Sequence, residues 1–351
     1  MTRRVMVVGA TGFTGQLICR HLQAHQLDYT VAGRDEKELK NLFPGHERIV
    51  IDVMDESRLE KPLDRCDILI NAVGPFNLWG HQLVTAAAER GLTYLDICGE
   101  QHFVKHCLDQ IDPMARKNHA LIINSCAFES MVADLMVAEI CDPTVDYEDI
   151  STFYHFSNPG SSGGTKFSMK LARYFPAYRL RNRQLEAAAP MSHQREIRIN
   201  GLRNLYWAAF VPYPEVVFFQ REYKLMNGAS HYLFADHLSA PLVPDRNRSK
   251  ADMQKIVARF QRGHRDNPTE AEMDRQRFSL AAIAATPGGK NKQILVQGKN
   301  MYHLTAELIA RCVMTLAVEP PEDCGVRTPA QVFAHADLLK ALPQIAEIQT
   351  S

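Results

Sequence analysis

The chain has 351 residues, which suggests two domains of ordinary size at about 150 residues each and a substantial buried core. Its 40 basic and 40 acidic residues balance and are scattered rather than gathered into a stripe, so nucleic acid is not an expected partner. Cysteines at 19, 66, 98, 107, 126, 141, 312 and 324 form neither a Cys-x-x-Cys pair nor a His-paired metal spacing. They read as buried reduced thiols, and no metal site is expected.

Residues 5–15 read VMVVGATGFTG: Val5, Val7 and Val8 supply a strand, and Phe13, Leu17, Ile18, His21 and Leu22 follow at helical spacing. Gly9 allows a tight turn, Gly12 lets backbone approach a pyrophosphate, and Gly15 lets the helix pack close to the strand. Free amides at the helix start then meet phosphate. The expected cofactor contacts are Gly9, Thr11, Gly12, Phe13, Thr14 and Gly15. A strand starting at residue five leaves no space for a secretory signal ahead of it, so a cytoplasmic location is expected.

Strands are expected at residues 29–32, 48–53, 67–73, 93–97 and 120–125, separated by helix-length segments that include 80–90 closed by Gly91 and a stretch holding Pro113. This alternation predicts an α/β fold, a Rossmann-type doubly wound parallel sheet whose ligands lie beyond the carboxyl ends of its strands. Arg34 stands after the second strand, where an NAD enzyme would offer a carboxylate to the ribose. A guanidinium suits a 2′-phosphate, so NADP is expected over NAD, with Asp35 the competing feature. Ala72, Val73, Gly74 and Pro75 shape a loop at the end of the fourth strand, where a cofactor passes close to backbone. At the end of the fifth strand, Tyr94 and Asp96 point to one side, and Asp96 and Glu100 either orient substrate and move a proton or cap the next helix.

The motifs GATGFTG, AGR, NAVGPF, Gly80 and YLDICGE, in this order, resemble the saccharopine dehydrogenase-like family, above all its short members, which include trans-acting enoyl reductases. Three later pieces agree with that resemblance: Ser162-Gly163-Gly164-Thr165, Tyr302 with Thr305-Ala306, and Gly325 to Pro329. Residues 178–275 match poorly. One departure stands out: where family members often carry Gly-Phe-Asp-Ser, this chain has Ala127-Phe128-Glu129-Ser130, followed by Asp134. The longer side chain moves a carboxylate by about one carbon–carbon bond, enough to matter for catalysis. The resemblance implies a pyridine-nucleotide oxidoreductase and leaves its substrate open.

Beyond residue 147 the alternation stops. A strand at 150–156 leads through a Ser- and Gly-rich loop to a helix carrying Phe167, Leu171 and Ala172, and Ser162 and Thr165 either hold a substrate oxygen or serve as a cap. Residues 205–219 are rich in aromatics, but Pro212 and Pro214 argue against both a helix and a central strand there; the segment either walls a hydrophobic pocket or packs in the core, and core packing is the expected role because aromatics dominate ordinary cores. His231 and His237 lack metal spacing. A surface helix is expected at 250–260, and 277–286 with 293–297 flank a Pro-Gly-Gly-Lys turn as a hairpin. Helices at 302–318 and 329–342 end the chain; the first is interrupted by Glu307 and Arg311, and no membrane span is expected.

The expected domains are therefore 1–130 for the dinucleotide, 131–300 as a sheet-rich α+β substrate domain, and 301–351 as helices returning near the first. None of the 11 tyrosines has a lysine four positions on, which argues against a short-chain dehydrogenase mechanism. The function expected is NADPH-dependent reduction of an enoyl or imine-type substrate in an interdomain cleft, with Asp96, Tyr94 and Thr165 as candidate catalytic residues. A small acyl or amino-acid-derived substrate is the expected partner, with a homodimer as the candidate assembly. A non-catalytic NADP(H) sensor is the alternative.

Overall fold

The computed structural model describes residues 3–55, 59–236, 249–262, 266–318 and 323–351; His237 lies outside them. Contact clustering separates two units: one comprises Met1–Gly99, Phe103–Met131 and Tyr302–Ala334, the other Glu100–His102, Val132–Met301 and His335–Ser351.

The first unit is built on short apolar strands buried on both faces, as parallel strands covered by helices must be. Val5–Val8, Ile68–Asn71 and Thr93–Asp96 are buried at every position. The sheet runs in the order Gly325–Arg327, Leu121–Ile123, Thr93–Asp96, Ile68–Asn71, Val5–Val8, Thr30–Gly33, Arg48–Val50, with every pairing parallel. Val8 sits between Ala32 on one side and Asn71 on the other. The chain therefore winds outward one way from the first strand and then the other, which makes that point the switch where a dinucleotide crosses.

Each expected strand is present; 29–32 is shifted by one residue to Thr30–Gly33, and the others are shorter at their ends, 67–73 contracting to Ile68–Asn71, where the Asn71 side chain takes the Val73 N–H. The segment around Pro113 is helical in two pieces, Gln101–His106 and Asp112–Lys117, joined by a π-helical turn at Cys107–Ile111. Pro113 lies in the first turn of the second piece, where its missing N–H costs nothing. The closing motif at Gly325 forms a seventh strand, Gly325–Arg327, whose three residues carry no periodicity.

The second unit is a nine-stranded mixed sheet ordered Arg195–Arg198, Leu205–Val211, Lys224–Phe234, Asp146–Ser157, Arg277–Ala285, Asn291–Lys299, Ile345–Thr350, with Tyr178–Arg181 and Gln184–Ala187 branching from the third of these. Among the described residues of this sheet, Lys224–Phe234 and Asp146–Ser157 pair in parallel and the other neighbours antiparallel. The expected hairpin is present, Ala285 opposite Asn291 across the turn.

The aromatic segment 205–219 corrects the sequence reading. Leu205–Val211 is an interior strand paired on both sides, because the prolines fall just past its end and remove none of its ladder bonds. Helix Glu215–Glu222 then starts right after Pro214. One face of this sheet buries Phe153, Tyr206, Ala208, Leu233, Ala281 and Leu295 with Ile199. The helix Lys250–Arg262 lies at the surface as expected, with Met253, Ile256, Val257 and Phe260 half-buried on one face, and Phe260 stacks on Phe167 of helix Gly163–Ala172 at 3.9 Å.

The last residues split between the units. Met301–Val318 is a helix of 18 residues, long and apolar enough by composition to cross a membrane, yet 61% of it is buried within the protein. Its inward face is Leu304, Leu308, Ile309, Cys312, Val313 and Leu316, the pattern of a core helix. The expected helix at 329–342 is two short ones, Pro329–Val332 and His335–Ala341, and Ile345–Thr350 adds an edge strand that its polar composition concealed. No disulfide forms, and seven of the eight cysteines are buried. Burial pushes the Cys19 and Cys66 thiols up to about 12, so they stay protonated and inert.

Candidate cofactor site

The glycine loop has the geometry its residues require. Gly9 has φ +85°, and its N–H donates to the Ala32 carbonyl at 2.9 Å, tying the turn to the second strand. A Cβ on Gly15 would lie 2.1 Å from the Gly9 oxygen, so no side chain fits where helix Phe13–Ala24 leaves the strand. Gly12 caps that helix without a side chain, and the first intrahelical bond runs from Gln16 N–H to the Gly12 carbonyl at 2.9 Å. The amides of Phe13, Thr14 and Gly15 therefore precede the helical ladder and face outward as an anion site. The Gln16 side-chain amide donates to the Thr11 carbonyl at 2.9 Å and holds the loop's outer rim.

Arg34 is exposed at the end of strand Thr30–Gly33 and makes no protein hydrogen bond among the described residues. Asp35, its rival, is already used: its carboxylate accepts the Glu38 N–H at 3.0 Å as the cap of helix Glu36–Leu42. That leaves the cation, not the carboxylate, free to meet a ribose substituent.

On the other side of the first strand, Ala72 N–H donates to the Val8 carbonyl, and Val73 N–H donates to Asn71 Oδ1, each at 2.9 Å. Asn71 in turn donates to the Tyr94 hydroxyl at 2.9 Å, and both side chains are fully buried. Burial pushes the Tyr94 phenol well above its ordinary value. Tyr94 thus holds the loop of Ala72, Val73, Gly74 and Pro75 in shape through Asn71, and that loop closes on Gly9, whose added Cβ would lie 2.8 Å from Val73.

Asp96 is also fully buried. Its carboxylate accepts the Ser125 N–H at 2.8 Å, the Cys98 N–H at 3.0 Å and the Asn124 side-chain amide at 2.7 Å. Desolvation raises its pKa to about 6 against these three donors and the Tyr94 hydroxyl, which favour the ionised form. Tyr94 and Asp96 do share one side of the strand. Asp96 ties the turn after the fifth strand to the turn after the sixth, where Ser125 has φ +63°; it is not a helix cap.

Thr165 belongs to the other unit, so the structure does not gather the three candidate catalytic residues in one unit. Its N–H donates to the Ser162 hydroxyl at 3.2 Å, and Ser162 is the cap of helix Gly163–Ala172. Glu100 accepts a hydrogen bond from Ser168 at 3.2 Å. Glu129, the departure from the family pattern, lies with its carboxylate against Gly99, 3.0 Å from where a Cβ would stand.

The late motif has a local explanation. Tyr302 packs edge-on against Phe13 with ring centroids 5.1 Å apart, and Thr305 accepts the Phe128 N–H at 3.1 Å. Residues far along the chain thereby brace the glycine loop and the start of helix Phe128–Ile140. Asn71, Asn124 and Ser125 escaped the sequence reading; their signal is a polar residue directly after an apolar strand, ILI-N and LII-NS. Glu215 escaped it too, although it is a lone carboxylate in an aromatic run. It is fully buried, and one oxygen accepts hydroxyls from Thr152, Tyr154 and Ser230 at 2.9, 2.5 and 2.5 Å.

Residues 5–127 match the model of the saccharopine dehydrogenase NADP binding domain. This stretch of the chain is similar to that domain family. The matched stretch takes in the glycine loop, Arg34, the 72–75 loop, Tyr94 and Asp96. A protein of Caenorhabditis elegans named lipid droplet localized protein is 32% identical over 148 residues, covering 38% of this chain and 35% of its own. A trans-acting enoyl reductase of Mycobacterium leprae is 33% identical over 145 residues, covering 39% and 35%. The matched region thus spans about a third of each relative's length. The solved structure of saccharopine dehydrogenase (L-Glu forming) from Saccharomyces cerevisiae superposes with a TM-score of 0.61 over 99% of this chain and all of that one, at 13% identity, a likeness of fold alone. The NADP binding domain agrees with the cofactor expected from Arg34.

Proposed function

We propose that this chain is an NADPH-dependent oxidoreductase that reduces a small enoyl or imine-type substrate, acyl or amino-acid-derived. The observation that carries the reading is the side-chain-free cap at Gly12 within the matched NADP binding domain. The diphosphate fits the amides of Phe13, Thr14 and Gly15, and the absence of a side chain on Gly15 lets the helix start lie against the Gly9 backbone. Arg34 holds the 2′-phosphate, and the backbone of Val73 and Gly74, braced by Asn71 and Tyr94, borders the path toward the nicotinamide end. When bound, NADPH supplies a hydride. The chain's own work is to orient that cofactor. Asp96 contributes by holding the Cys98 and Ser125 turns at the carboxyl edge of the sheet.

A second reading has a specific observation in its favour. Tyr94 and Asp96 have their polar atoms committed inside the unit, and Thr165 is engaged with a helix cap. A sensor that binds NADP(H) without turning it over needs no free proton donor. Absorbance assays of NADPH consumption over a panel of enoyl thioesters and imines separate the two. Turnover of any member supports the reductase, and tight NADPH binding with no turnover throughout supports the sensor.

The cofactor assignment has its own test. Arg34→Ala removes one charge-assisted contact, worth about 1.5 to 3 kcal/mol, so NADPH affinity falls by roughly 10- to 150-fold while NADH affinity barely changes. Equal losses for both coenzymes in calorimetry reject the 2′-phosphate role.

A further inference from the structure

In the second unit, strands Asp146–Ser157 and Lys224–Phe234 run in parallel with Thr152 opposite Ser230 and Tyr154 opposite Tyr232. Alternation therefore places Thr152, Tyr154 and Phe156 beside Ser230, Tyr232 and Phe234 on one face, while the core around Phe153 occupies the other. Along this face fully buried hydroxyls at Thr152 and Ser230 give way to half-buried rings at Phe156, Tyr232 and Phe234, and half-buried Tyr213 joins them from the turn before helix Glu215–Glu222. Tyr232 is the hub. Its ring meets those of Tyr154, Phe156, Tyr213 and Phe234 at interplanar angles of 75° to 87°, with centroids 5.7 to 6.4 Å away, and its hydroxyl shares a 2.6 Å hydrogen bond with that of Tyr213. Rings set nearly at right angles make walls rather than a stack.

Glu215 is joined to this face by the hydroxyls of Tyr154, Thr152 and Ser230, all of which donate to Oε1. Its other oxygen, Oε2, is buried and has no hydrogen-bond partner among the described residues. Asp96, equally buried, has both oxygens engaged. Burial pushes the Glu215 carboxyl up, the hydroxyls pull it down, and no cationic side chain is among the main influences. A carboxylate taken out of water in this way calls for an opposite charge.

We propose that this aromatic face binds a small organic ammonium ion, with the rings of Phe156, Tyr213 and Tyr232 as its walls and the Glu215 carboxylate as its counter-charge. Ring faces attract a cation through their quadrupole, and the attraction strengthens as the site loses water. The hydroxyls fix the carboxylate beside Tyr154, so its charge acts on the face through protein of low dielectric rather than through solvent. An anion meets repulsion there. An uncharged molecule of the same shape gains only the apolar contact. The site needs neither NADPH nor a hydride, so it stands apart from the reductase reading.

The test is calorimetric titration of the full chain with choline and with dimethylbutanol, its uncharged isostere in which carbon replaces the quaternary nitrogen. Choline should bind about tenfold more tightly than the isostere. Equal affinity, or no choline binding, overturns the proposal. Glu215→Gln keeps the shape and removes the charge, so it should lower choline affinity about tenfold and leave the isostere's unchanged. Tyr232→Leu removes the central ring and should lower choline affinity by a similar factor, whereas Tyr232→Phe keeps the ring and should bind choline as the natural protein does. Unchanged choline affinity in Glu215→Gln or in Tyr232→Leu overturns the site. Melting curves show which variants are folded, and if Glu215→Gln is not, the two Tyr232 variants decide. Titration with NADPH is a separate measurement, so failure of the cofactor reading and failure of this site are read independently.

Discussion

Gly15→Ala is expected to abolish useful NADPH binding and to destabilise the first unit. The new methyl would stand 2.1 Å from the Gly9 oxygen and 2.9 Å from the Gly9 carbonyl carbon, both backbone atoms. Neither can retreat cheaply, because the Gly9 N–H is bonded to Ala32 and its φ of +85° is already a glycine conformation. Forced overpacking of this kind costs about 3 kcal/mol where no flexible side chain can yield. Displacement of the helix start moves every phosphate-facing amide, so affinity should fall by roughly 100-fold, as it does when binding groups shift by about 1 Å. Gly45→Ala is the control: nothing lies within 4 Å of its added methyl, and it should leave both properties unchanged. Calorimetric titration with NADPH and urea unfolding read the two effects. Affinity within threefold of the natural protein would remove the glycine loop from the cofactor site.

Asp96 is expected to show two opposite behaviours in two variants. Asp96→Ala leaves the Cys98 and Ser125 amides and the Asn124 side chain without their acceptor in a fully buried place. At about 1 to 3 kcal/mol for each buried unsatisfied group, the loss should reach about 3 to 5 kcal/mol. Asp96→Asn behaves differently. Its remaining oxygen can accept both backbone amides, and its new NH₂ can meet the Asn124 oxygen, which has no partner among the described residues, once that amide flips.

The asparagine variant also removes a titration. Burial raises the Asp96 pKa from 3.8 to about 6, so the stability linked to its proton is complete below about pH 3.8 and is lost as pH rises through about 6. The amount is about 3 kcal/mol at neutral pH. The stability of Asp96→Asn relative to the natural protein should therefore climb between pH 4 and pH 7 in denaturant unfolding. A flat difference across that window would mean that the Asp96 carboxyl is no harder to ionise in the fold than in the unfolded chain.

These two positions also measure how legible the protein was. The glycine loop could be read because its requirement is local: a turn with no room for Cβ, followed by a helix start, uses adjacent residues and leaves a spacing in the text of the sequence. The parallel strands of the first unit were legible for a similar reason, as runs of Val, Ile and Leu broken by helix-length polar segments. Arg34 could be placed because it directly follows such a run. Asp96 was visible as a carboxylate at a strand end, but its partners Ser125 and Asn124 are about 30 residues away, and only the packing of neighbouring parallel strands brings them to it.

The amino-acid order by itself established the parallel-sheet half: which residues turn, which cross the core, and which loops end its strands. Tertiary structure alone decided what short or polar segments do. Gly325–Arg327 and Ile345–Thr350 become strands because a sheet edge already offers them hydrogen bonds, a reward that no pattern within three or six residues encodes. Leu205–Val211 is an interior strand because its prolines lie beyond the ladder, a matter of register rather than composition. Likewise His21 and Glu307 sit 286 positions apart and become one ionisable cluster only when two helices close on each other.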